Sequence, residues 1–323
     1  MSINRTDIFK GHDERSFNEL AIKTFIHQYH YVSTYRKFID ALGVTTSDIL
    51  HYSEIPCMPI EFFKNHSICD QSSYEKTFTS SGTTGMLTSK HFVADLSLYE
   101  DSFLMAFELF YGAPKDYCFI GLLPSYLERD GSSLIYMVDR LIQESKYEES
   151  GFCLDIDQSK IDLMQNPNIP CFVFGVTYAL LDFAEQFPGK YSNTIFSETG
   201  GMKGRRKELT KEEIHQILIP DLGVKSIHSE YGMTELLSQA YSLSNGIFNC
   251  PPWMKVLIRE VDDPLTLRSD GRTGGINVID LANTHSCSFI ATQDLGRRMN
   301  DDTFKVMGRF DYSDVRGCNL LVQ

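Results

Sequence analysis

The chain has 323 residues, 42% hydrophobic and 23% charged, which suits one large domain or two smaller ones with a substantial core. Its formal net charge of −13 disfavours nucleic acid and anionic membranes as partners, but leaves room for a local positive pocket that takes a small anion. The longest apolar stretch, Cys171 to Ala184, is broken by Thr177 and Asp182 and is too short to span a bilayer. The N-terminus lacks the apolar segment of a signal peptide, and the eight cysteines form no CxxC pair. These features predict a cytoplasmic protein with reduced thiols and argue against a disulfide frame or a zinc site. No HExxH or EF-hand pattern is present either.

In chain order, apolar residues at Phe17, Leu20, Ile22, Phe25 and Ile26 predict a helix over 16–42, stopped by Gly43. "IPCMPIEFFKNH" reads as an extended connector because of its two prolines. "DLSLYEDSFLMAFELFYG" predicts an amphipathic helix ending at Gly112. Strand-like and helix-like segments then alternate: "DYCFIGLLP" with "SSLIYMVDRLIQES", "PCFVFGV" with "YALLDFAEQF", "SNTIFSETGG" with "TKEEIHQILI", and last "VKSIHSEYG". The alternation predicts an α/β fold with helices covering a sheet. Beyond about residue 245 four short β-like runs, "MKVLIRE", "GINVIDL", "SFIATQDLG" and "FKVMGRF", predict a smaller β-rich subregion. The expected layout is a helical part over 1–76, an α/β core over 77–244, the β-rich subregion over 245–308 and a stub over 309–323.

Five stretches could carry chemistry. The first is "TFTSSGTTGMLTSKH", whose run Ser80, Ser81, Gly82, Thr83, Thr84 and Gly85 offers amides and hydroxyls that can converge on an anion. It matches neither GxxxxGK[ST] nor GxGxxG, and a plain polar surface loop is the competing reading. The second is "HSEYGMTELLSQAY": Tyr231 could stack on a base, Gly232 could let it approach, Thr234 offers a hydroxyl, and Glu235 could hold Mg2+ beside a triphosphate. A helix N-terminal charge is the alternative for Glu235. The third is "SETGGMKGRR", where Gly200, Gly201 and Met202 could pass close to a flat ring or simply join a strand to a helix. The fourth is "ATQDLG", whose Asp294 at a strand end could accept from ribose hydroxyls. The fifth, "VMGRFDYSDVRGCNLL", supplies Arg309, Asp311, Arg316 and Cys318.

In this order the five stretches resemble the adenylate-forming superfamily of acyl-CoA synthetases and luciferases, from about Phe78 to the C-terminus. "SGTTGMLT" has Leu87 and Thr88 where the superfamily often has proline and lysine. That version is similar to the branch of phenylacetate–CoA ligases and of LuxE-type acyl-protein synthetases; "IPCMPIEFFKNH", "FTSSGTTG" and "LLPSYLERDGSSLIYM" resemble the LuxE type most. The resemblance implies an adenylate-forming large domain whose C-terminal small domain, with its adenylation lysine, is missing or vestigial. It also implies ATP and Mg2+ as cofactors and a carboxylic acid, of the long-chain fatty kind, as substrate. Residues 80–85, Gly200 to Met202, Tyr231 to Met233, Asp294 and Arg309 would bind the nucleotide. Thr234 and Glu235 would be catalytic, and Pro124, Ser125, Tyr126 and Gly175 would line an acyl pocket. The LuxE type passes the acyl group to a late cysteine and then to a partner reductase. Cys318 is the late cysteine here, with Arg316 near enough to favour its thiolate, although a small apolar residue is an equal reading. CoA, an acyl carrier, or nucleotide binding without catalysis remain alternatives.

Overall fold

The structure, a computed structural model, describes residues 3–80, 87–123, 131–153, 155–200, 209–299 and 302–310. At the N-terminus lie α1 (Arg5–Phe9), α2 (Glu14–Tyr31) and α3 (Ser33–Ala41). Asp13 caps α2 by accepting from Ser16 N at 2.8 Å, while Asp13 N donates to Ser16 Oγ. The single helix expected over 16–42 is therefore two. The buried Val32 takes an extended conformation (φ −99°, ψ 96°) between them, which ends the first helix and turns the chain. Gly43 (φ +69°) closes the second, as its left-handed backbone requires. The expected extended connector also holds more: β1 (Met58–Pro59) and the one-turn helix α4 (Phe62–Asn65).

A hairpin follows, β2 (Lys76–Thr79) with β3 (Lys90–Val93), antiparallel and apart from the main sheet. It frames the Ser/Gly/Thr run. Next come α5 (Leu96–Tyr111), β4 (Cys118–Leu122), α6 (Ser133–Glu144), β5 (Gly151–Phe152), α7 (Gln158–Gln165), β6 (Cys171–Val176), α8 (Thr177–Gln186), β7 (Thr194–Thr199), α9 (Lys211–Leu222) and β8 (His228–Tyr231). Strands β5-β4-β6-β7-β8 lie side by side and parallel. Every residue of β6 is buried because both faces are covered. Phe172, Phe174 and Val176 meet Phe103 and Phe107 of α5 and Met137 of α6 in one core. Cys171 and Val173 meet Leu180 of α8 and Leu218 and Leu222 of α9 in the other. Two covered faces are the reason the strand sequence is continuously apolar rather than alternating.

Beyond β8 the sheet continues antiparallel through β9 (Ala240–Ser242), β10 (Phe248–Asn249), β11 (Met254–Arg259), β12 (Thr273–Asp280), β13 (Phe289–Arg298) and β14 (Phe304–Arg309), in the spatial order β8-β9-β10-β14-β13-β12-β11. The four late strands expected from sequence are all present, but they do not form a sheet of their own: β10 joins them to β9 and so to the parallel strands. Strand β1 adds to this half by pairing parallel with β13, Met58 opposite Ile290. No helix among the described residues is long and apolar enough to cross a membrane.

Candidate active site

The chain is fastened on either side of the Ser/Gly/Thr run. Ser80 N donates to Ser89 O at 3.1 Å, Ser89 N donates to Ser80 Oγ at 2.9 Å, and Thr79 N donates to Gly131 O at 2.8 Å. The chain on the two sides of the run thus meets at one point. Ser81, Gly82, Thr83, Thr84 and Gly85 themselves lie outside the described residues. Ser89 also hydrogen-bonds the carboxyl of Glu235, so this point adjoins the second motif.

That motif is a turn after β8, and its carbonyls are held from outside. His91 Nδ1, on β3, donates to Thr234 O at 2.8 Å. Asn283 Nδ2 donates to Glu235 O at 2.8 Å and to Cys287 O at 2.9 Å. Burial pushes His91 down to about 4, so at neutral pH it is a neutral donor. No helix starts at Glu235; the chain runs on to β9, which removes the helix-dipole explanation for this carboxylate. Glu235 is 5% exposed. Its pKa is raised, first by burial, with the Ser89 hydroxyl and the charges of Arg309 and Lys64 opposing. A buried carboxylate with one hydroxyl partner is the donor a hard divalent cation selects.

Asp294 lies within β13 rather than at a strand end, opposite Arg309 of β14, with a register shift immediately after it between Leu295 and Gly296. It accepts from Tyr231 Oη at 2.9 Å and from Arg309 Nε at 3.0 Å. The Tyr231 ring meets the edges of Phe248 and Phe304 at 6.0 and 5.5 Å. Asp294 therefore ties the end of β8 to β13 and β14, and its carboxylate keeps acceptor capacity beyond these two bonds.

A third group was not singled out in the sequence. Glu198 of β7 pairs with Lys211 Nζ at the start of α9 and accepts from Ser229 Oγ at 2.8 Å and Thr177 Oγ1 at 3.0 Å. Burial alone would raise its pKa, but Lys211, His215 and Ser229 together hold it at about 2. Glu230 of β8 accepts from Thr199 Oγ1 at 2.5 Å and is pushed up to about 7, first by burial and also by Glu198, with Thr199 and Lys211 opposing. The signal was available only as a carboxylate in each of two short strands, "FSET" and "HSEY", that turn out to be mostly buried. Glu198 stands opposite Ser229 across β7 and β8, so Glu230, one residue further along β8, turns to the other face of the sheet, and only that pairing gives each carboxylate its partners.

Because Glu230 titrates higher folded than unfolded, its contribution to stability is full below about pH 4.5 and is lost as pH rises through about 7. Glu230→Gln, which keeps an acceptor for Thr199, is expected to raise the thermal midpoint at pH 8, by at most about 3 kcal/mol of stability, and to change little at pH 4.5. Thermal melts of both proteins across that range check it; an equal effect at both ends contradicts the assignment.

These elements enclose one cleft of about 550 Å³ beyond the carboxyl ends of β7 and β8. Ser80, Gly200, Tyr231, Gly232, Met233, Thr234, Glu235, Asp294 and Arg309, all singled out from sequence, line it, and Glu230, Lys64 and Lys211 join them. Gly175 does not: it sits in β6, where a Cβ would lie 2.5 Å from Leu180 of α8, so its missing side chain serves helix-to-sheet packing. Pro124, Ser125, Tyr126, Gly201, Met202, Asp311, Arg316 and Cys318 fall outside the described residues.

The fold that carries this cleft is that of adenylate-forming acyl-CoA ligases. A 2-hydroxyisobutyryl-CoA ligase, in an open conformation with 2-HIB-AMP and CoA, superposes with a TM-score of 0.64 at 10% identity, over 93% of this chain and 70% of that one. ATP-bound MatB from Rhodopseudomonas palustris superposes with a TM-score of 0.53 at 17% identity, over 76% of this chain and 49% of that one. An ATP-bound RpMatB-BxBclM chimera gives 0.53 at 16% identity, over 72% and 47%. The chain thus spans about half the length of these MatB chains. No family model matches it, and no curated protein matches it in sequence.

Proposed function

We propose that the protein activates a carboxylic acid with ATP and passes the acyl group to a thiol. The observation that carries this reading is the convergence on one cleft of motifs spread from Ser80 to Arg309, in a fold shared with adenylate-forming ligases. In the first step a carboxylate oxygen of the acid forms a bond to the α-phosphorus of ATP, and the bond from that phosphorus to the bridging oxygen breaks, releasing pyrophosphate. In the second a thiolate attacks the acyl carbonyl, a C–S bond forms, and AMP leaves.

In this reading the Ser/Gly/Thr run, fastened at Ser80 and Ser89, wraps the phosphates, and Lys64, Lys211 and Arg309 supply positive charge to the walls. Thr234 faces the α-phosphate from a turn whose carbonyl is fixed by His91. Tyr231 and Gly200 flank adenine, and Asp294 accepts from ribose. Glu235 holds Mg2+, which when bound offsets charge on the departing pyrophosphate. Glu230 remains as a second carboxyl able to exchange a proton near neutral pH. Apolar walls at Ile60, Leu134 and Met137 fit an apolar acyl chain, and we assign a long-chain fatty acid as the substrate. Cys318 is the acceptor thiol in the LuxE-type version, with a reductase as the onward partner. The CoA bound to the 2-hydroxyisobutyryl-CoA ligase favours CoA as the second reading.

The test is Mg2+-dependent ATP–pyrophosphate exchange across fatty and aromatic acids, with acyl adducts read by intact mass. Exchange that depends on an acid is expected. Cys318→Ser should keep that exchange and lose a hydroxylamine-labile adduct. An adduct that persists moves the acceptor elsewhere, acyl-CoA formation without an adduct supports the second reading, and ATP binding with no exchange for any acid sinks the catalytic proposal.

A further inference from the structure

We infer that His27, Asp70 and His285 bind one divalent transition-metal ion of the zinc class, at a site separate from the cleft. The three residues come from α2, from the segment after α4, and from the loop joining β12 to β13. His27 Nε2 lies 2.8 Å from Asp70 Oδ2, and His285 Nδ1 lies 3.0 and 3.1 Å from the two oxygens of Asp70. All three donor atoms fall within 4.8 Å of one another. No other group of three such donors exists among the described residues.

The frame that holds them is stiff. Asp70 N donates to His285 O at 2.8 Å, and Ser286 Oγ donates to Ile68 O at 2.8 Å. One turn of α2 anchors the same loop: Gln28 Nε2 donates to Asn283 O and Ser288 Oγ at 3.0 Å, and Gln28 Oε1 accepts from Ser288 N at 3.0 Å. The donors are therefore positioned by backbone contacts rather than by the two histidine–aspartate hydrogen bonds alone.

Tetrahedral zinc with nitrogen and oxygen ligands near 2.0–2.1 Å places neighbouring donors about 3.3 Å apart. The two histidine–aspartate separations need to open by only a few tenths of an ångström. Each ring then carries its proton on the far nitrogen, Nδ1 of His27 and Nε2 of His285, and turns a lone pair to the ion. Two imidazoles and one carboxylate suit zinc, cobalt or nickel rather than magnesium or calcium. Asp70 is 5% exposed and His285 30% at the side chain, so the His285 side is open to solvent for entry and for a fourth ligand from water. The loop that bears His285 also bears Asn283, which holds the Glu235 carbonyl. An ion here would lock the N-terminal helices to the support of the 234–235 turn.

The experiment titrates the full, metal-stripped chain with Co2+ by visible absorption and with Zn2+ by calorimetry. One ion per chain is expected, with the intense spectrum of tetrahedral cobalt, displacement by Zn2+, and a rise in thermal midpoint. His285→Gln and Asp70→Asn should each weaken binding at least tenfold, since even outer partners of a metal site are worth about 10–100-fold. His285→Gln, at the exposed end of the set, carries the test if Asp70→Asn does not fold. Affinity weaker than about millimolar for both ions overturns the site. So does one-to-one binding that His285→Gln leaves unchanged, which would put the ion on cysteines.

Discussion

Glu235→Gln is expected to lower acid-dependent ATP–pyrophosphate exchange by roughly a hundredfold to a thousandfold, the scale seen when one preorganised charge-stabilising group is removed. The substitution keeps the shape of the side chain and an oxygen for the Ser89 hydroxyl, but removes the charge that would attract Mg2+. The fold should not suffer. Burial already penalises the charged form of Glu235, so a neutral amide relieves that penalty, and the thermal midpoint should stay level or rise. Loss of activity together with a fall in midpoint would point to a structural role for Glu235. Unchanged exchange would remove it from the metal assignment altogether.

Asp280→Ala is expected to cost the most stability, about 3–5 kcal/mol, the scale of breaking a buried, fully bonded charge cluster. Asp280 is fully buried at the end of β12. It accepts from Leu237 N at 2.8 Å, Ser238 N at 3.0 Å, Ser238 Oγ at 2.6 Å and Ala282 N at 3.1 Å. Ser238 Oγ in turn accepts from Trp253 Nε1 at 3.0 Å and contacts Ser102 Oγ of α5 at 2.9 Å. Alanine would strand several donors without water. Asp280→Asn keeps the volume but turns a donor toward donors, so it should fall between. Urea unfolding midpoints with an unchanged slope measure both; a loss under about 1 kcal/mol for alanine would mean that the donors find other partners.

The parallel half of the fold was legible because strand-like segments alternate with helix-like ones, and because β4 and β6 are apolar runs, a pattern that two covered faces impose. The hairpin β2–β3 was not. Its strands are four residues each, and of the first only Phe78 is fully buried, too little for a period to show. The break at Val32 depends on how α2 and α3 pack, which local propensity does not record. Within the cleft, Tyr231, Glu235, Asp294 and Arg309 could be found because each sits in a short distinctive motif. Glu230 in the cleft, and Glu198, His91 and Asn283 behind it, could not, because strand pairing and packing give them their meaning: His91 reaches Thr234 across 143 positions. His27, Asp70 and His285 are more scattered still and leave no spacing to recognise.

The parallel pairing of Met58 in β1 with Ile290 in β13 also sets a schedule for biosynthesis. Strand β1 is translated about 230 residues before its partner, and the helices packed beside it wait for the same segment through Gln28 and Asn283. At translation rates of roughly 5–20 residues per second, the N-terminal segment spends about ten to fifty seconds outside the ribosome without its partner. During that interval Phe25, Tyr35 and Met58, all buried in the finished protein, have no β13 to cover them. Nascent chains arrested before residue 289 should therefore bind chaperones through this stretch, and release should follow once β13 has emerged.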